Sequence, residues 1–379
     1  MRFHSDAFSN ADDFMKPFFL HGWLVFLLCA LAVLMHARAD ADSTNRGVWC
    51  WGTPDPYGLD YIVGTNDLEN ATVAQFKLWG IKHVFGFYGD QLKTVPGQAA
   101  LAAWNTLLSN NGIESQLLIS DYSLGSGDNN IIIEMINFNT NQPSAAQFKA
   151  VHLDIEPWGS PTWGTDNKYN DLVALANTYQ QVRAELNTNG ESNVLVYADQ
   201  AVWLNNLTAI NWPSASMRDQ WFSSNFTNLA GITLMAYEQP TYSRIVNAVS
   251  WQLTNYPNLV RVGIDAGVGQ TWSNLDAFVT VAGQVEFYNK DSAGVDIYDF
   301  QSFEEIVPPV ISFGQAPLLT QSGFNFMVQG PIGSNCVVQA STDLVNWQPV
   351  TNFSSKAWLT YITDSTATNH PYRFYRVTP

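Results

Sequence analysis

Short apolar runs rich in β-branched and aromatic residues recur along most of this chain, and segments of helical character separate them. The runs are continuous instead of alternating in hydrophobicity, which is typical of strands covered on both faces, as in a parallel sheet. Eight runs fall at 47–51, 83–88, 115–122, 151–158, 194–198, 232–237, 260–266 and 295–300. This pattern predicts an α/β fold, a (β/α)8 TIM barrel of about 260 residues. A doubly wound open sheet is the alternative.

Helix candidates lie between these runs, but the pattern changes after residue 303. The helix candidates are at 70–79, 98–110, 145–148, 169–187 and 276–285. Beyond Pro308 and Pro309, helical periodicity stops and short apolar runs alternate with Gly, Asn, Ser, Pro and Asp, which predicts a small all-β sandwich. These runs are at 324–329, 336–341, 347–351, 357–362 and 373–377. We therefore expect a barrel over 40–306 and a C-terminal β-sandwich over 312–379, which suits a length of 379 residues.

The C-terminal segment also resembles the β-domain that ends many exported proteins of some Gram-negative bacteria. The resemblance rests on residues 338–347, which read VQASTDLVNW, and on residues 373–377, which read RFYRV. It implies anchoring, sorting or presentation at the cell surface for this domain, and no catalytic role.

The N-terminal segment has the layout of a secretory signal peptide. An apolar run at 18–34 follows Lys16 and precedes the small-residue site Ala37-Arg38-Ala39. A membrane anchor is the alternative, but the run falls short of the roughly 20 apolar residues that a span needs. We expect residues 1–39 to be removed and the protein to be secreted, periplasmic or at the cell surface, with no membrane span after cleavage.

The charge and cysteine content limit the partners. The chain has 17 Lys and Arg against 33 Asp and Glu, a formal net charge of −16, which repels phosphate backbones and makes nucleic acid an unsuitable partner. After the leader only Cys50 and Cys336 remain, in different predicted domains, so we expect two buried thiols instead of a disulfide framework. The P-loop, zincin, nucleophile-elbow and zinc-cluster patterns do not occur, so we expect neither cofactor nor metal. We expect a monomer.

Carboxylates are concentrated where the predicted barrel strands end, which is where TIM barrels carry their functional side chains. Asp121 follows the third strand and Asp265 lies on the seventh. Asp154 and Glu156 end the fourth strand, and because they are two residues apart they point to the same side of it. Two neighbouring acids repel, so one tends to keep its proton at neutral pH while the other ionises. This is the starting condition for general-acid cleavage of a glycosidic bond, and a cation site or solvated loop acids are the alternatives.

Two of these strand ends resemble motifs of family 18 glycoside hydrolases, the chitinases and endo-β-N-acetylglucosaminidases. Residues 151–156, VHLDIE, resemble the strand-4 signature D-x-x-D-x-D-x-E, and residues 234–238, LMAYE, resemble the strand-6 signature M-x-Y-D. The resemblance implies that Glu156 is the general acid and that Asp154 orients the N-acetyl group of the substrate. It further implies that Tyr237 and Glu238 support an oxazolinium intermediate.

The chain departs from that family at several positions. Lys149 and His152 replace the first two acids of the strand-4 signature, Glu238 replaces an Asp, and strand 8 has no Trp at the usual floor position. The retained Asp154 and Glu156 keep acid chemistry possible, whereas the replacements weaken the expectation of an N-acetylated sugar. The strand-4 D-x-E is also similar to family 25 lysozymes, but their strand-1 Asp has no counterpart at 48–51.

Aromatic residues at or just beyond strand ends are candidates for stacking on sugar rings, with acids nearby to bind ring hydroxyls. As substrate-binding residues we predict Trp51, Tyr88, Asp121, Trp158, Asp265 and Trp272, and Trp163 and Trp203 occupy similar positions. The alternative is that most of these rings only pack in the core.

The sequence therefore predicts an exported glycoside hydrolase that cleaves a neutral or N-acetylated polysaccharide by carboxylate acid/base catalysis, with a carbohydrate polymer or glycan as partner. A catalytically inactive carbohydrate-binding or surface-display barrel is the alternative, favoured by the residues at 149 and 152. A metal-dependent hydrolase that uses the clustered Asp residues is a third possibility.

Overall fold

The computed structural model describes residues 45–120, 130–160, 163, 168–267, 272, 274–312 and 316–379. The predicted leader at 1–39 and the candidate Asp121 lie outside the described residues. The described residues all belong to one compact unit.

Eight parallel strands close into a barrel in chain order, as the sequence predicts. They are β1 (Arg46–Cys50), β2 (Ile81–Gly86), β3 (Glu114–Ile119), β4 (Ala150–Leu153), β5 (Leu195–Ala201), β6 (Gly231–Met235), β7 (Val260–Asp265) and β8 (Gly294–Tyr298). The last strand pairs with the first, with Val48 opposite Ile297. This closure shows that the open-sheet alternative is wrong.

Helices follow the strands, and their apolar faces cover the outside of the barrel. They are α1 (Leu59–Ile62), α2 (Asn66–Leu78), α3 (Gly89–Leu92), α4 (Val95–Asn110), α5 (Asn130–Thr140), α6 (Lys168–Thr188), α7 (Leu207–Ile210), α8 (Ala215–Asn225), α9 (Tyr242–Asn255), α10 (Leu275–Tyr288) and α11 (Phe300–Ile306). Three-residue and four-residue 3-10 helices lie at Pro157–Gly159 and Val202–Asn205. No helix among the described residues is both long and apolar enough to span a bilayer.

The inside of the barrel holds buried polar groups as well as apolar ones. On β7, the Arg261 guanidinium donates to the Asp296 carboxylate of β8 at 2.6 Å, and Thr233 of β6 donates to the same carboxylate at 2.9 Å. Gly47 of β1 leaves room for this group, because a Cβ there would approach Asp296 Oδ1 to 2.4 Å. Buried charges need such partners, so the interior at this level is a satisfied structural network.

The C-terminal region forms two antiparallel sheets, in agreement with the predicted β-sandwich. One sheet contains β9 (Val310–Ile311), β10 (Leu318–Thr320), β11 (Gly323–Gln329) and β14 (Leu359–Asp364), and the other contains β12 (Asn335–Ser341), β13 (Gln348–Ser354) and β15 (Phe374–Thr378). Side chains from both sheets share a core of Phe326, Val328, Val338 and Ile362. Cys336 of β12 and Cys50 of β1 are free and buried, as expected from the sequence.

Candidate active site

The end of β4 presents Asp154 and Glu156. Asp154 still donates its backbone N–H to the Ile119 carbonyl of β3 at 2.8 Å, although the strand itself ends at Leu153. Pro157 then begins a 3-10 helix directly after Glu156. Because proline has no N–H to donate, it ends the ladder at this point. The two acids therefore lie on the extended segment that leaves the barrel at the carboxyl ends of its strands.

Both acids have raised pKa values. Burial raises the pKa of Asp154 well above its ordinary value, and an ionised Asp199 or Glu156 raises it further. Burial also raises the pKa of Glu156, although the Trp158 indole opposes this by donating to Glu156 Oε2 at 3.1 Å. A carboxyl group that keeps its proton at higher pH is suited to act as a general acid.

Aromatic rings form a floor beside these acids. Tyr237, after β6, and Tyr298, at the end of β8, pack with ring centroids 4.6 Å apart. Trp49 of β1 packs edge-on against both tyrosines from below, at 6.2 and 5.8 Å, and Trp51 packs against Tyr298 at 6.4 Å. Trp51 thus contacts the aromatic floor, and its role in sugar binding stays a prediction.

Tyr298 is a site residue that the sequence analysis did not identify. Burial raises its pKa to about 12, and further upward effects come from the charges of Asp299, Asp154, Asp265 and Glu156. The acids of three strand ends therefore surround one phenol. Its signal in the sequence is an aromatic residue at the end of strand 8, the strand on which family 18 enzymes carry the floor Trp.

Two buried polar atoms at the mouth have no hydrogen-bond partner within the part of the chain that the structure describes: Asp154 Oδ1 and Tyr237 Oη. The charge of Asp154 is one of the causes of the raised pKa of Tyr237, after burial and Asp199. Buried polar atoms are nearly always paired in folded proteins. An acceptor and a donor that are both left open at this mouth favour a ligand that offers the complementary pair.

Glu238 and Asp265 lie together on another part of the mouth. Glu238 is exposed and takes a left-handed backbone conformation with φ of 60°. Asp265 is buried and accepts from the Gly267 N–H at 2.6 Å. Burial raises the pKa of Asp265, and the charges of Asp299 and Glu238 add to this. Glu238 therefore acts electrostatically on Asp265, and its predicted support of an oxazolinium intermediate stays a prediction.

Two predicted substrate-binding aromatics are instead core residues. Tyr88 is fully buried between the barrel and α4, where Trp104 donates to its hydroxyl at 3.0 Å and Ser115 does so at 3.3 Å. Trp272 is 4% exposed and packs against Phe278 of α10 at 6.2 Å. Stacking on a sugar requires an open ring face, so the prediction for these two residues is wrong in this structure.

Three tryptophans form a cluster next to Glu156. Trp158 packs against Trp203 at 5.5 Å and against Trp163 at 6.3 Å, and Trp163 lies 5.9 Å from Trp203. Trp163 is buried, whereas Trp203 is 37% exposed. Because Trp158 also donates to Glu156, this tryptophan cluster connects the candidate acid to an accessible apolar surface.

Among the residues covered by the structure, no group of three or more His, Cys, Asp or Glu side chains is placed to hold a metal ion.

The two residues that replace acids of the strand-4 signature are both accounted for by other contacts. Lys149, which replaces the first acid, donates to the Ser144 carbonyl at 2.6 Å. His152, which replaces the second acid, is fully buried inside the barrel.

Comparisons with known proteins give structural similarity only. No protein-family model matches the chain, and no curated protein matches its sequence. The chain is similar in structure to a modular endo-β-1,4-mannanase from Cellulomonas fimi, with 10% identity over 91% of this chain and 95% of that one and a TM-score of 0.42. It is also similar to a family 18 chitinase from Cycas revoluta, with 10% identity over 68% of this chain and 96% of that one and a TM-score of 0.43. A chitinase from Chromobacterium violaceum has 10% identity over 69% and 96%, with a TM-score of 0.41.

Proposed function

We propose that this protein is a glycoside hydrolase that cleaves an N-acetylated or neutral glycan with Glu156 as the proton donor. The observation that carries the proposal is the grouping at the mouth of the barrel. Two acids with raised pKa values lie next to a tyrosine pair, and one carboxylate oxygen and one phenol lack partners there. The strand-4 and strand-6 motifs support the same assignment.

An acetamido group is the substrate feature that fits the two open atoms. Its N–H can donate to Asp154 Oδ1, and its carbonyl can accept from the Tyr237 hydroxyl, so that both buried atoms are satisfied. A hydroxyl group of a neutral sugar can also satisfy both atoms, because its O–H donates and its oxygen accepts, but both bonds then meet at a single oxygen. The acetamido group spreads its donor and its acceptor over two atoms, and together with the strand-4 and strand-6 motifs this leads us to place N-acetylated glycans ahead of neutral ones.

The reaction then follows from the positions of the protons. Glu156 gives its proton to the glycosidic oxygen, the bond from that oxygen to the anomeric carbon breaks, and the acetamido oxygen bonds to the anomeric carbon. A water molecule next attacks the anomeric carbon and gives a proton to Glu156. The bond from the acetamido oxygen to the anomeric carbon then breaks, so that the oxazolinium ring opens and the acetamide is restored. Asp154 holds the acetamide N–H, and Tyr237 holds its oxygen while charge develops there. Tyr298 and Trp51 offer apolar surface beneath the sugar.

A carbohydrate-binding barrel without catalysis is the second candidate. The tryptophan cluster of Trp158, Trp163 and Trp203 favours it, because an exposed aromatic surface binds pyranose rings whether or not a bond is cleaved.

One experiment separates the two candidates. The full chain is incubated with N-acetylglucosamine oligomers, peptidoglycan, N-glycans and mannan, and released reducing ends are measured together with retention on the insoluble polymers. A hydrolase releases reducing ends from at least one N-acetylated substrate, and Glu156→Gln abolishes the release but not the retention. Retention without release by the wild type supports the binder, and neither release nor retention refutes both.

We also propose that the protein acts outside the cytoplasm, on the strength of the signal-peptide pattern at 1–39. Expression of the full gene with a C-terminal tag, followed by fractionation and N-terminal sequencing, tests this. A mature chain that starts near residue 40 in an extracytoplasmic fraction supports export, and an uncleaved cytoplasmic chain contradicts it.

A further inference from the structure

The pair formed by His152 of β4 and Asp199 of β5 lies inside the barrel beneath the candidate site. Both residues are fully buried, and His152 Nε2 is 2.7 Å from Asp199 Oδ1. The other imidazole nitrogen, Nδ1, is 3.1 Å from Gln116 Oε1. The second oxygen of Asp199 accepts from the Trp49 indole at 3.1 Å. All the polar atoms of the pair therefore have partners.

The hydrogen bonds fix most of the protons. Gln116 uses its amide nitrogen to donate to Glu114 at 2.7 Å, so its oxygen faces His152 and must accept. His152 therefore carries a proton on Nδ1. A second proton lies between His152 Nε2 and Asp199 Oδ1. Whether this proton is bonded to the nitrogen or to the oxygen, the pair as a whole has no net charge.

Burial decides where that proton resides. Burial lowers the pKa of His152 to about 3 and raises the pKa of Asp199 well above its ordinary value. Both effects disfavour an ion pair, so the neutral imidazole accepts from a protonated carboxyl group. Arg261 and Asp296 also act on His152, but they are paired with each other. Tyr197 of β5 stacks on His152 with ring centroids 6.4 Å apart. Among the described residues, the other titratable groups that act on the pair or on which it acts are His83, Asp154, Glu156, Tyr179 and Tyr237.

The His152–Asp199 pair affects the candidate site in two ways, through charge and through a hydrogen bond. A charge on Asp199 would raise the pKa of Asp154, so a protonated Asp199 spares Asp154 that repulsion. Asp199 also anchors Trp49, whose ring packs beneath Tyr237 and Tyr298. A protonated Asp199 thus keeps the charge beneath the site low while it holds the floor in place.

We propose that His152 and Asp199 are positioning residues that together hold one proton as a neutral pair, and that this spares Asp154 a neighbouring negative charge and fixes Trp49 under the tyrosine floor. The proposal rests on the proposed function for its effect on activity, but the protonation state of the pair can be measured without any substrate. The pair also takes the place of the acid that the family 18 signature has at position 152.

The first test is nitrogen NMR of the histidine side chains between pH 5 and 9, with His152 assigned by comparison with His152→Gln. We expect His152 to be neutral, with a hydrogen on Nδ1 only, throughout this range. A doubly protonated His152, or one that titrates in the range, overturns the proposal whatever the activity of the protein.

The second test uses a conservative variant and a rescue. Asp199→Asn can still accept from Trp49 and can donate to His152, so we expect it to keep the thermal midpoint and the pH profile of the wild type. In His152→Gln the amide can donate to Asp199, which stabilises a carboxylate there, and both limbs of the pH profile should move up by about one unit. Adding Asp199→Asn to His152→Gln should reverse this shift. A changed pH profile in Asp199→Asn, or no reversal of the shift in the double variant, contradicts the proposal. A wild-type protein that cleaves none of the glycans refutes only the proposed function.

Discussion

The carboxyl group of Glu304 in α11 accepts a hydrogen bond from the indole of Trp358, at 2.9 Å, and both side chains are buried. Trp358 precedes β14 of the C-terminal sandwich, yet it packs within the barrel core against Tyr57 and Phe300. The other carboxylate oxygen of Glu304 has no hydrogen-bond partner among the described residues. A buried acid thus joins the last barrel helix to the C-terminal domain.

This contact makes the stability of the protein depend on pH. Burial raises the pKa of Glu304 from its ordinary value of 4.5 to about 7. The folded state therefore binds more protons than the unfolded state between these values, so the free energy of unfolding falls as the pH rises through this window and levels off above it. The contribution of this one group is about 3 kcal/mol at most. We expect Glu304→Gln to remove this part of the pH dependence, measured by urea unfolding from pH 5 to pH 8.

The matched control is Glu305→Gln, the exposed neighbour on the same helix. It should follow the pH dependence of the wild type. Other buried acids with raised pKa values contribute equally to all three proteins, so the difference between variants isolates Glu304. Identical pH dependence in Glu304→Gln and the wild type would show that Glu304 does not titrate in this window.

A second expectation concerns the proton donor. Glu156→Gln keeps the size of the side chain and an acceptor for Trp158, but it cannot give a proton to a leaving group. We expect hydrolysis to fall by about 10²–10⁴-fold with no change in the unfolding midpoint. Glu191→Gln, before β5 at the opposite end of the barrel, is the control and should keep wild-type activity.

The activity of the wild type should also survive treatment with a chelator. Loss of activity in the chelator would support the metal-dependent alternative instead.

A third expectation concerns the open hydroxyl of Tyr237. In the free protein this buried group has no partner in the described part of the chain, so Tyr237→Phe removes an unsatisfied polar atom. Stability should stay the same or increase by about 1 kcal/mol, while hydrolysis falls, because the hydroxyl is used only when substrate is bound. Tyr288→Phe, at an exposed position on α10, is the control. A clear loss of stability in Tyr237→Phe would mean that the hydroxyl has a structural partner.

The barrel could be predicted from the sequence because buried parallel strands leave a strong local signal. The predicted strands run on beyond the carboxyl ends of the observed ones, as at 151–158 against Ala150–Leu153, because apolar residues continue into the loops that form the mouth.

One helix prediction was wrong. Residues 145–148 form no helix, and the helix after β3 is α5 (Asn130–Thr140). There Asn139 of α5 binds both the N–H and the carbonyl of Phe148 and holds that segment in an irregular conformation.

The site was harder to predict because side-chain direction depends on tertiary packing. Asp154 and Glu156 could be placed at the mouth from their positions after an apolar strand. The burial of Tyr88 follows from contacts with Trp104 and Ser115, which are distant in sequence, and no local pattern encodes them. The same holds for Asp199, whose importance appears only when His152 and Trp49 are seen beside it.

The last expectation concerns the tryptophan cluster beside Glu156. Trp203 is its exposed member, and removing the ring takes away apolar surface without opening the barrel core. We expect Trp203→Ala to weaken retention on an N-acetylated polymer by about 10-fold, in line with about 0.5–1.5 kcal/mol for an aromatic contact, while cleavage of the shortest oligomers changes little. Phe287→Ala on α10 removes an aromatic ring that is more exposed than Trp203 and lies far along the chain, and it should leave retention unchanged. Equal retention of Trp203→Ala and the wild type would show that the cluster only supports the loop after β4, whereas loss of cleavage on short and long substrates alike would place Trp203 at the bond that is cut.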